Sequence, residues 1–393
     1  MAEHIMDTVT LGALVIVRDK MMAQQAAGRR VLRLEVGDTD FNTPPHIRKA
    51  IEDALESGKT HYPPSIGLPG LRDAALKKVR EENKLPIKDA EHVLVTIGGM
   101  HGLYMTFSSM LNPGDEVILP DPMWSEIAEM IRRPGGKPVG VALRPEKDFM
   151  YDPADVEAAI TPNTKAIYIN SPHNPTGAVV SLEVIQQIAD LALKHNLQVV
   201  SDEAYEHVIF DGRKHVSIGS LPGMEDCTVT CYTLSKSYAM TGLRLGYMVS
   251  NDDRLLDRVR KLLRITCNGV PSITQWGGLA ALSGSQETTR EFMSELETRR
   301  NLFMEGLRKV KVFDAFNPEG AFYVWARIDD GWDGYNGEKD SWAMTNYLID
   351  RAGIGTSPGI AFGPSGDRYV RFAFTIGRKD LVEATGIMQD LFS

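Results

Sequence analysis

Short apolar runs alternate with stretches of helical periodicity through the middle of the chain. The runs predict seven strands, at His92–Ile97, Glu116–Leu119, Lys137–Val141, Ala166–Asn170, Gln198–Ser201, Thr228–Tyr232 and Gly246–Val249. Between two of these runs, Ser181–His195 repeats apolar residues with the period of a helix behind a serine N-cap. Apolar strands separated by helices predict an α/β fold with a mostly parallel sheet.

The pattern changes near Ser285, where a long helical period gives way to isolated strands. The predicted elements there are Glu287–Val310, Ala321–Ile328 and Tyr369–Thr375. We therefore expect residues 45–285 to form a large domain. Residues 1–44 and 286–393 are expected to form an N-terminal arm and a smaller α+β domain.

Composition narrows the class of protein. A length of 393 residues suggests two domains, and the 24% of charged residues is ordinary for a soluble globular protein. Lys and Arg number 43 against 52 Asp and Glu, so the formal net charge is −9. An acidic chain without basic clusters argues against nucleic-acid partners and against binding to an anionic membrane.

Cysteine usage and the terminal sequence bear on location. The three cysteines, Cys227, Cys231 and Cys267, cannot all pair, which favours reduced thiols in the cytoplasm. Residues 1–10 lack a basic n-region, so we expect no signal peptide. Apolar runs such as Leu14–Val17 are too short to span a bilayer.

The stretch TLSKSYAMTGLRLGY, which starts at Thr233, places Lys236 directly behind a predicted strand. Thr233 and Ser235 supply hydroxyl donors, and the planar fork of Arg244 suits a phosphate. A lysine beside a fixed cation loses proton affinity, so its amine becomes a usable nucleophile near neutral pH. Taken alone, the same lysine could be a solvated surface residue.

Four more strands are followed by residues that can carry chemistry. Asp202 and Tyr205 follow one strand, Asn174 lies in a rigid NPTG turn, Gly98-Gly99 opens a helix that extends over Met100–Met110, and Trp124 follows a fourth strand. Each of these features can also be interpreted as purely structural, that is, as a loop carboxylate, a plain turn, a bare glycine pair or a core aromatic residue.

Taken together, these groups lie at the carboxyl edge of one sheet, where α/β folds bind ligands. They call for a ligand with a phosphate, a flat ring, a ring nitrogen that pairs with a carboxylate, and a carbonyl that reacts with an amine. Pyridoxal 5′-phosphate (PLP) has all four.

The chain resembles the class I aminotransferases of the fold-type I PLP enzymes, and among them the aspartate aminotransferase-like members. The resemblance rests on VGDTDFNTPPHI, HYPPSIGLPGLR, NPTG, SDEAY, SKSYAMTGLRLGY, PEGAFYVW and RYVRFAFT. It implies the PLP-transferase fold, a mostly parallel seven-stranded sheet with helices on both faces plus the smaller α+β domain.

The resemblance also implies roles around the cofactor ring. Lys236 would bind the cofactor covalently and then shuttle the substrate proton as general base and acid. Asp202 would pair with the ring nitrogen and keep it protonated. Asn174 and Tyr205 would hydrogen-bond the phenolic oxygen of the ring, and Trp124 would stack on it.

Further roles concern the phosphate, the substrate and a second subunit. The phosphate would be held by Arg244, Thr233, Ser235 and the amides of Gly99 and Met100. The substrate α-carboxylate would be held by Arg371, Gly37 and Asn174. Tyr62 would reach a phosphate in the neighbouring subunit, which implies a homodimer. His101 departs from the family pattern, and we interpret it as a cap of its helix rather than a phosphate ligand.

Transamination between an amino acid and a 2-oxo acid is the leading hypothesis for function. A PLP-dependent carbon–sulfur β-lyase and a non-catalytic PLP-binding regulator are the alternatives. The nine histidines form no H-E-x-x-H cluster, so we expect no metal. The expected substrates are aspartate-like or broad with 2-oxoglutarate as acceptor. Arg18, Arg29 and Arg264 are candidates for binding a second carboxylate, and the arm Leu11–Val17 either lines the site or contacts the partner subunit.

Overall fold

Residues 12–393 are described by a computed structural model. The prediction about a signal peptide and the first residue of the apolar arm, Leu11, lie outside the described residues. Within residues 12–393, no helix combines the length and apolar character that crossing a membrane requires.

The strands and helices follow one another in a largely alternating order. The strands are β1 (Leu32–Arg33), β2 (Val93–Thr96), β3 (Glu116–Asp121), β4 (Lys137–Ala142), β5 (Thr164–Asn170), β6 (Gln198–Asp202), β7 (Thr228–Thr233), β8 (Gly246–Ser250), β9 (Phe313–Ala315), β10 (Tyr323–Ile328), β11 (Ile354–Gly355), β12 (Ser357–Pro358) and β13 (Tyr369–Ala373). The α-helices are α1 (Ala13–Ala26), α2 (Pro45–Glu56), α3 (Pro69–Glu81), α4 (Gly98–Met110), α5 (Glu126–Arg132), α6 (Pro153–Ala158), α7 (Leu182–Lys194), α8 (Leu234–Ser237), α9 (Asp253–Thr266), α10 (Ser272–Ser283), α11 (Glu287–Leu307), α12 (Ser341–Ala352) and α13 (Arg378–Leu391).

The central sheet has seven strands in the order β2–β8–β7–β6–β5–β3–β4. All neighbouring pairs are parallel except those of β8, which runs antiparallel to both β2 and β7. Every strand predicted from the apolar runs is present, with ends that differ by one or two residues. The prediction of a mostly parallel seven-stranded sheet is confirmed.

Helices cover both faces of this sheet because successive side chains of a strand point to opposite sides. On β5, Ile167 packs into one buried cluster with Ile188 of α7, whereas Tyr168 packs into another with Phe107 of α4. The predicted helix behind Ser181 is α7, and the Ser181 Oγ accepts a hydrogen bond from the Val184 N–H at 3.3 Å.

A second sheet of four antiparallel strands, in the order β12–β13–β10–β9, follows in the sequence. Its buried face packs on α11 and α13 through side chains such as Phe303, Phe372 and Leu381. The long helix and both strands predicted beyond residue 285 are confirmed as α11, β10 and β13. The N-terminal segment joins this region, since β1 pairs in parallel with β11.

Candidate active site

A cavity of about 380 Å³ lies at the carboxyl ends of the central strands. Because β2, β3, β5, β6 and β7 point the same way, the polar residues that follow them meet at one edge. All the predicted site residues except Tyr62 line this cavity: Gly37, Gly99, Met100, Trp124, Asn174, Asp202, Tyr205, Thr233, Ser235, Lys236, Arg244 and Arg371.

Lys236 lies on the short helix α8, directly after β7. Its Nζ donates a hydrogen bond to the Gly37 carbonyl oxygen at 2.6 Å. Burial lowers the pKa of Lys236 to about 8, with Arg371 and Arg244 lowering the pKa further and Asp38 opposing them. Desolvation is the larger cause of this lowered pKa, whereas the sequence pattern pointed only to the neighbouring cation.

Asp202 ends β6 and is only 6% exposed. Its carboxylate accepts hydrogen bonds from the Tyr168 hydroxyl at 2.8 Å and from the Ala204 N–H at 3.2 Å. Burial raises the pKa of Asp202 to about 6. A buried carboxylate bonded to these two neutral donors fits a cationic ring nitrogen facing it in the cavity.

A cluster of donors suited to a dianion lies between β2, β7 and β8. The first turn of α4 brings the amides of Gly99 and Met100 to the cavity, together with the hydroxyls of Thr233 and Ser235, which lie 2.9 Å apart. The Arg244 Nη1 donates to the Thr241 carbonyl oxygen at 2.8 Å. This donor set fits the phosphate of the cofactor predicted from the sequence.

Glycine is required where the Arg244 guanidinium meets the start of α4. Gly98 has a φ of +75°. A Cβ at this position would lie 2.7 Å from the Arg244 Nη2. The glycine pair therefore does more than free the helix amides, since it also leaves room for the arginine that completes the dianion cluster.

Asn174 joins the two sheets at the cavity. Its N–H donates to the Asn170 Oδ1 at 2.9 Å, and its Oδ1 accepts from the Arg371 Nη1 at 2.9 Å. The Asn170 Nδ2 in turn donates to the Asp202 carbonyl oxygen at 3.0 Å. Sequence reasoning missed Asn170 because a strand's last residue offers no signal of which groups it will bond.

Arg371 on β13 is 2% exposed, and burial lowers its pKa. Its Nη2 donates to the Glu35 carbonyl oxygen at 3.0 Å and to the Ser357 Oγ at 3.2 Å. Among the described residues, its buried Nε has no hydrogen-bond partner. An unpaired N–H on a guanidinium at the cavity wall fits a carboxylate of the substrate.

Tyr323 is a cavity residue that sequence reasoning did not assign. Its hydroxyl lies 2.9 Å from that of Tyr205, and its ring lies 4.2 Å from the Arg371 guanidinium carbon. A Cβ at Gly37 would clash with the Tyr323 hydroxyl. The only signal in the sequence was its place in the motif PEGAFYVW.

The cap interpretation of His101 is confirmed. Its Nδ1 accepts a hydrogen bond from the Ile97 N–H at 3.1 Å, at the start of α4. Burial lowers the pKa of His101, which favours the neutral ring that this bond requires.

Tyr62 lies apart from this cavity and is 88% exposed. It borders a second cavity of about 450 Å³ with residues 60–63 and 269–273. Across residues 12–393, no group of three or more His, Cys, Asp or Glu side chains is arranged to hold a metal ion.

The helix α1 adds residues that sequence reasoning could not place. Leu14, Val15 and Arg18 line the cavity. Leu14 and Val15 belong to the apolar arm, and for them the structure shows the first of the two expected alternatives, that the arm lines the site. Neither Arg29 nor Arg264 is among the lining residues.

Comparisons with known proteins find relatives that match most of the chain. The family profile described as aminotransferase class I and II matches residues 29–385. An aspartate aminotransferase of Pyrococcus abyssi is 36% identical over 367 residues, which are 93% of this chain and 92% of that protein. Aromatic-amino-acid aminotransferase 2 of Thermococcus litoralis is 35% identical over 362 residues, 91% of each chain. The solved structure of the aspartate aminotransferase from Thermus thermophilus with maleate has a TM-score of 0.90 and 35% identity, with 98% of both chains covered.

Proposed function

The chain belongs to the class I and II aminotransferases and is a PLP-dependent transaminase, and on this premise we propose that it transfers the α-amino group of an L-amino acid to 2-oxoglutarate. The transfer follows a ping-pong course, in which the amino acid reacts and leaves as its oxo acid before the acceptor binds. The observation that carries this proposal is the half-buried amine of Lys236, whose pKa is lowered, in one cavity with the buried side chains of Asp202 and Arg371.

The cofactor supplies the electron sink: when bound, its protonated ring withdraws electrons from the substrate Cα. Asp202 holds the proton on the ring nitrogen, because a buried carboxylate there is stabilised by a cationic partner. Tyr205 and Asn174 would hydrogen-bond the ring oxygen, and Trp124 would stack on the ring. The phosphate would be held by Gly99, Met100, Thr233, Ser235 and Arg244.

Lys236 would hold the cofactor through Nζ. Once the substrate amine takes over that bond, the released Nζ would be the base that takes the proton from the substrate Cα. A pKa of about 8 leaves a usable fraction of the free amine near neutral pH. Arg371 holds the α-carboxylate, helped by the Gly37 amide and by Asn174. Binding of the α-carboxylate in this way orients the Cα–H bond toward the lysine, so that this bond breaks and the other bonds of the Cα do not.

The substrates we propose are dicarboxylic amino acids, or a broader range that includes them. One relative is named for aspartate and another for aromatic amino acids, and both chemistries fit a cavity with basic and apolar walls. Because these relatives are aminotransferases, they favour transamination over the carbon–sulfur lyase.

A half-reaction screen tests this function. The cofactor-loaded enzyme is mixed with single amino acids, and the absorbance of the bound aldehyde form is followed. We expect aspartate or glutamate to convert it to the amine form, with 2-oxoglutarate restoring the first spectrum. Release of pyruvate and ammonia without an acceptor would show a lyase instead.

Three further features complete the proposal. The enzyme is a homodimer with shared sites, in which the exposed Tyr62 reaches the phosphate bound by the partner subunit. Residues 45–285 form the large domain, with residues 1–44 and 286–393 forming the arm and the small domain. The location is the cytoplasm, which the three free cysteines favour. Sedimentation of the loaded enzyme tests the dimer.

A further inference from the structure

Four basic side chains of the described residues line the active-site cavity: Arg18, Lys236, Arg244 and Arg371. Three of them have a place in the proposed reaction, on the phosphate, the α-carboxylate and the substrate proton. Arg18 has none. Its position on α1 therefore needs a separate explanation.

The anchoring of α1 directs Arg18 to the cavity. Leu14, Val15 and Arg18 line the cavity, and Arg18 lies one helical turn beyond Leu14 on the same side of the helix. The neighbouring face is buried, since Val17 and Met21 pack on Ile349 of α12. This packing fixes the rotation of the helix about its axis.

A second set of contacts ties α1 to the same neighbour. The Lys20 Nζ donates to the Asn346 Oδ1 at 2.8 Å and lies 3.4 Å from the Asp350 carboxylate. Lys20 is therefore occupied away from the cavity. Arg18 is the basic group of this helix that remains at the cavity wall.

The Arg18 guanidinium is only loosely engaged. Its Nε and Nη2 both donate to one oxygen of the adjacent Asp19, at 3.0 Å and 2.9 Å. The two side chains are 53% and 61% exposed, and an ion pair this exposed contributes little free energy. A substrate carboxylate can thus replace Asp19 at small cost.

We propose that Arg18 binds the distal carboxylate of a dicarboxylic amino acid or 2-oxo acid whose α-carboxylate is held by Arg371. This inference rests on the proposed function and names the residue that selects its substrate class. Leu14 and Val15 lie beside Arg18 at the wall and contact the apolar part of the substrate. A neutral side chain gains no charge-assisted bond from Arg18, so selection comes from the fork of the guanidinium.

The test compares Arg18→Gln and Arg18→Lys with Arg29→Gln as the matched control. Arg29 follows the same helix, its Nη1 donates to the Gln24 Oε1 at 3.0 Å, and it does not line the cavity. We expect Arg18→Gln to lower kcat/KM for aspartate about 10- to 100-fold more than for alanine. Arg18→Lys keeps the charge without the planar fork, so its kcat/KM for aspartate should fall less. Arg29→Gln should change the ratio of kcat/KM for aspartate to that for alanine by less than about twofold.

Binding measurements supply a readout that is independent of turnover. Succinate and butyrate have the same number of carbons and differ in the distal carboxylate, and calorimetry on the loaded enzyme gives both affinities. We expect Arg18→Gln to weaken the binding of succinate about 10-fold or more relative to the binding of butyrate. Asp19→Asn, which removes the competing carboxylate, should strengthen succinate binding by a few-fold.

The outcomes separate this inference from the proposed function. If dicarboxylates react but Arg18→Gln weakens the binding of succinate and of butyrate equally, Arg18 does not bind the distal carboxylate and the inference is wrong. If the wild-type enzyme transaminates other amino acids and neither reacts with dicarboxylates nor binds succinate above butyrate, both the inference and the proposed substrate class are wrong. If no amino acid reacts, the proposed function itself fails.

Discussion

The Tyr168 hydroxyl donates a hydrogen bond to the Asp202 Oδ2 at 2.8 Å, and both groups are buried. Burial raises the pKa of Asp202 to about 6, whereas the bond from Tyr168 acts against that rise. Tyr168 thus keeps the carboxylate ionised and in place. The ionised form is the one that can hold a protonated ring nitrogen.

We expect Tyr168→Phe to raise the pKa of Asp202 further, by about one unit, since the bond favours the charged form. The measurement is the cofactor dissociation constant as a function of pH, because the acidic limb of this profile follows the ionisation of Asp202. Tyr151→Phe is the control, since the Tyr151 hydroxyl donates to the Tyr168 carbonyl oxygen at 3.2 Å instead. An acidic limb that stays in place, or moves equally in both variants, contradicts the role given to Tyr168.

Asp202 and Lys236 together should stabilise the apoprotein least between about pH 6 and pH 8. The folded-state pKa of Asp202, about 6, exceeds the unfolded value of about 3.9, so the folded state binds more protons between these values. The contribution of Asp202 to the free energy of unfolding therefore falls as the pH rises from about 4 to about 6. The folded-state pKa of Lys236, about 8, is below the unfolded value of about 10.4, so stability rises again between them.

Each group contributes at most about 3 kcal/mol to this profile. Urea unfolding of the apoprotein at a series of pH values measures it. Compared with the wild type, the Asp202→Asn variant should lack the fall in unfolding free energy that Asp202 causes below pH 6. The Lys236→Met variant should lack the rise in unfolding free energy that Lys236 causes above pH 8. The account of Asp202 is wrong if the Asn variant shows the full decline.

Arg371→Lys should lower kcat/KM by roughly 100-fold while the absorbance of the bound cofactor stays the same. Lysine keeps the charge but cannot bond Asn174, Glu35 and Ser357 at once and still offer a free N–H to the substrate. Steady-state kinetics with a spectrum of each enzyme checks this. An equal loss of bound cofactor would show that Arg371 supports the cofactor site instead.

The central sheet could be predicted from the sequence because its strands are buried on both faces. Such strands appear as continuous apolar runs, and their polar successors, Asn174, Asp202 and Lys236, then fall at one edge by topology alone. Two of the four strands of the second sheet, Tyr323–Ile328 and Tyr369–Ala373, were also predictable because they are largely apolar runs bounded by turns, whereas β9 and β12 are too short to give such a signal.

The site residues that sequence reasoning missed lie within strands or helices rather than in the turns that follow them. Tyr168, Asn170 and Tyr323 are on strands, where a polar side chain is indistinguishable from an ordinary core or surface position until its partner is known. Arg18 was one of several candidate arginines, because only the packing of α1 on Ile349 brings it to the cavity. The pKa of Lys236 depends chiefly on burial, which cannot be read from neighbours in the sequence.

Gly98→Ala should weaken phosphate binding without greatly disturbing the fold. The new Cβ would lie 2.7 Å from the Arg244 Nη2, and the far end of a flexible side chain can move away at small cost. The positive φ of +75° adds about 1 kcal/mol of strain. The clash therefore displaces the guanidinium, and the dianion cluster loses its strongest donor.

Gly58→Ala separates these two effects, because Gly58 has a φ of +70° but nothing within 4 Å of the added Cβ. Both variants should lose about 1 kcal/mol of unfolding free energy from the backbone strain. Only Gly98→Ala should raise the dissociation constant of PLP, by about tenfold or more, while binding of pyridoxal, which lacks the phosphate, changes little. If Gly98→Ala weakens the binding of pyridoxal as much as the binding of PLP, the glycine supports the site of the ring rather than the site of the phosphate, and Arg244 has another role.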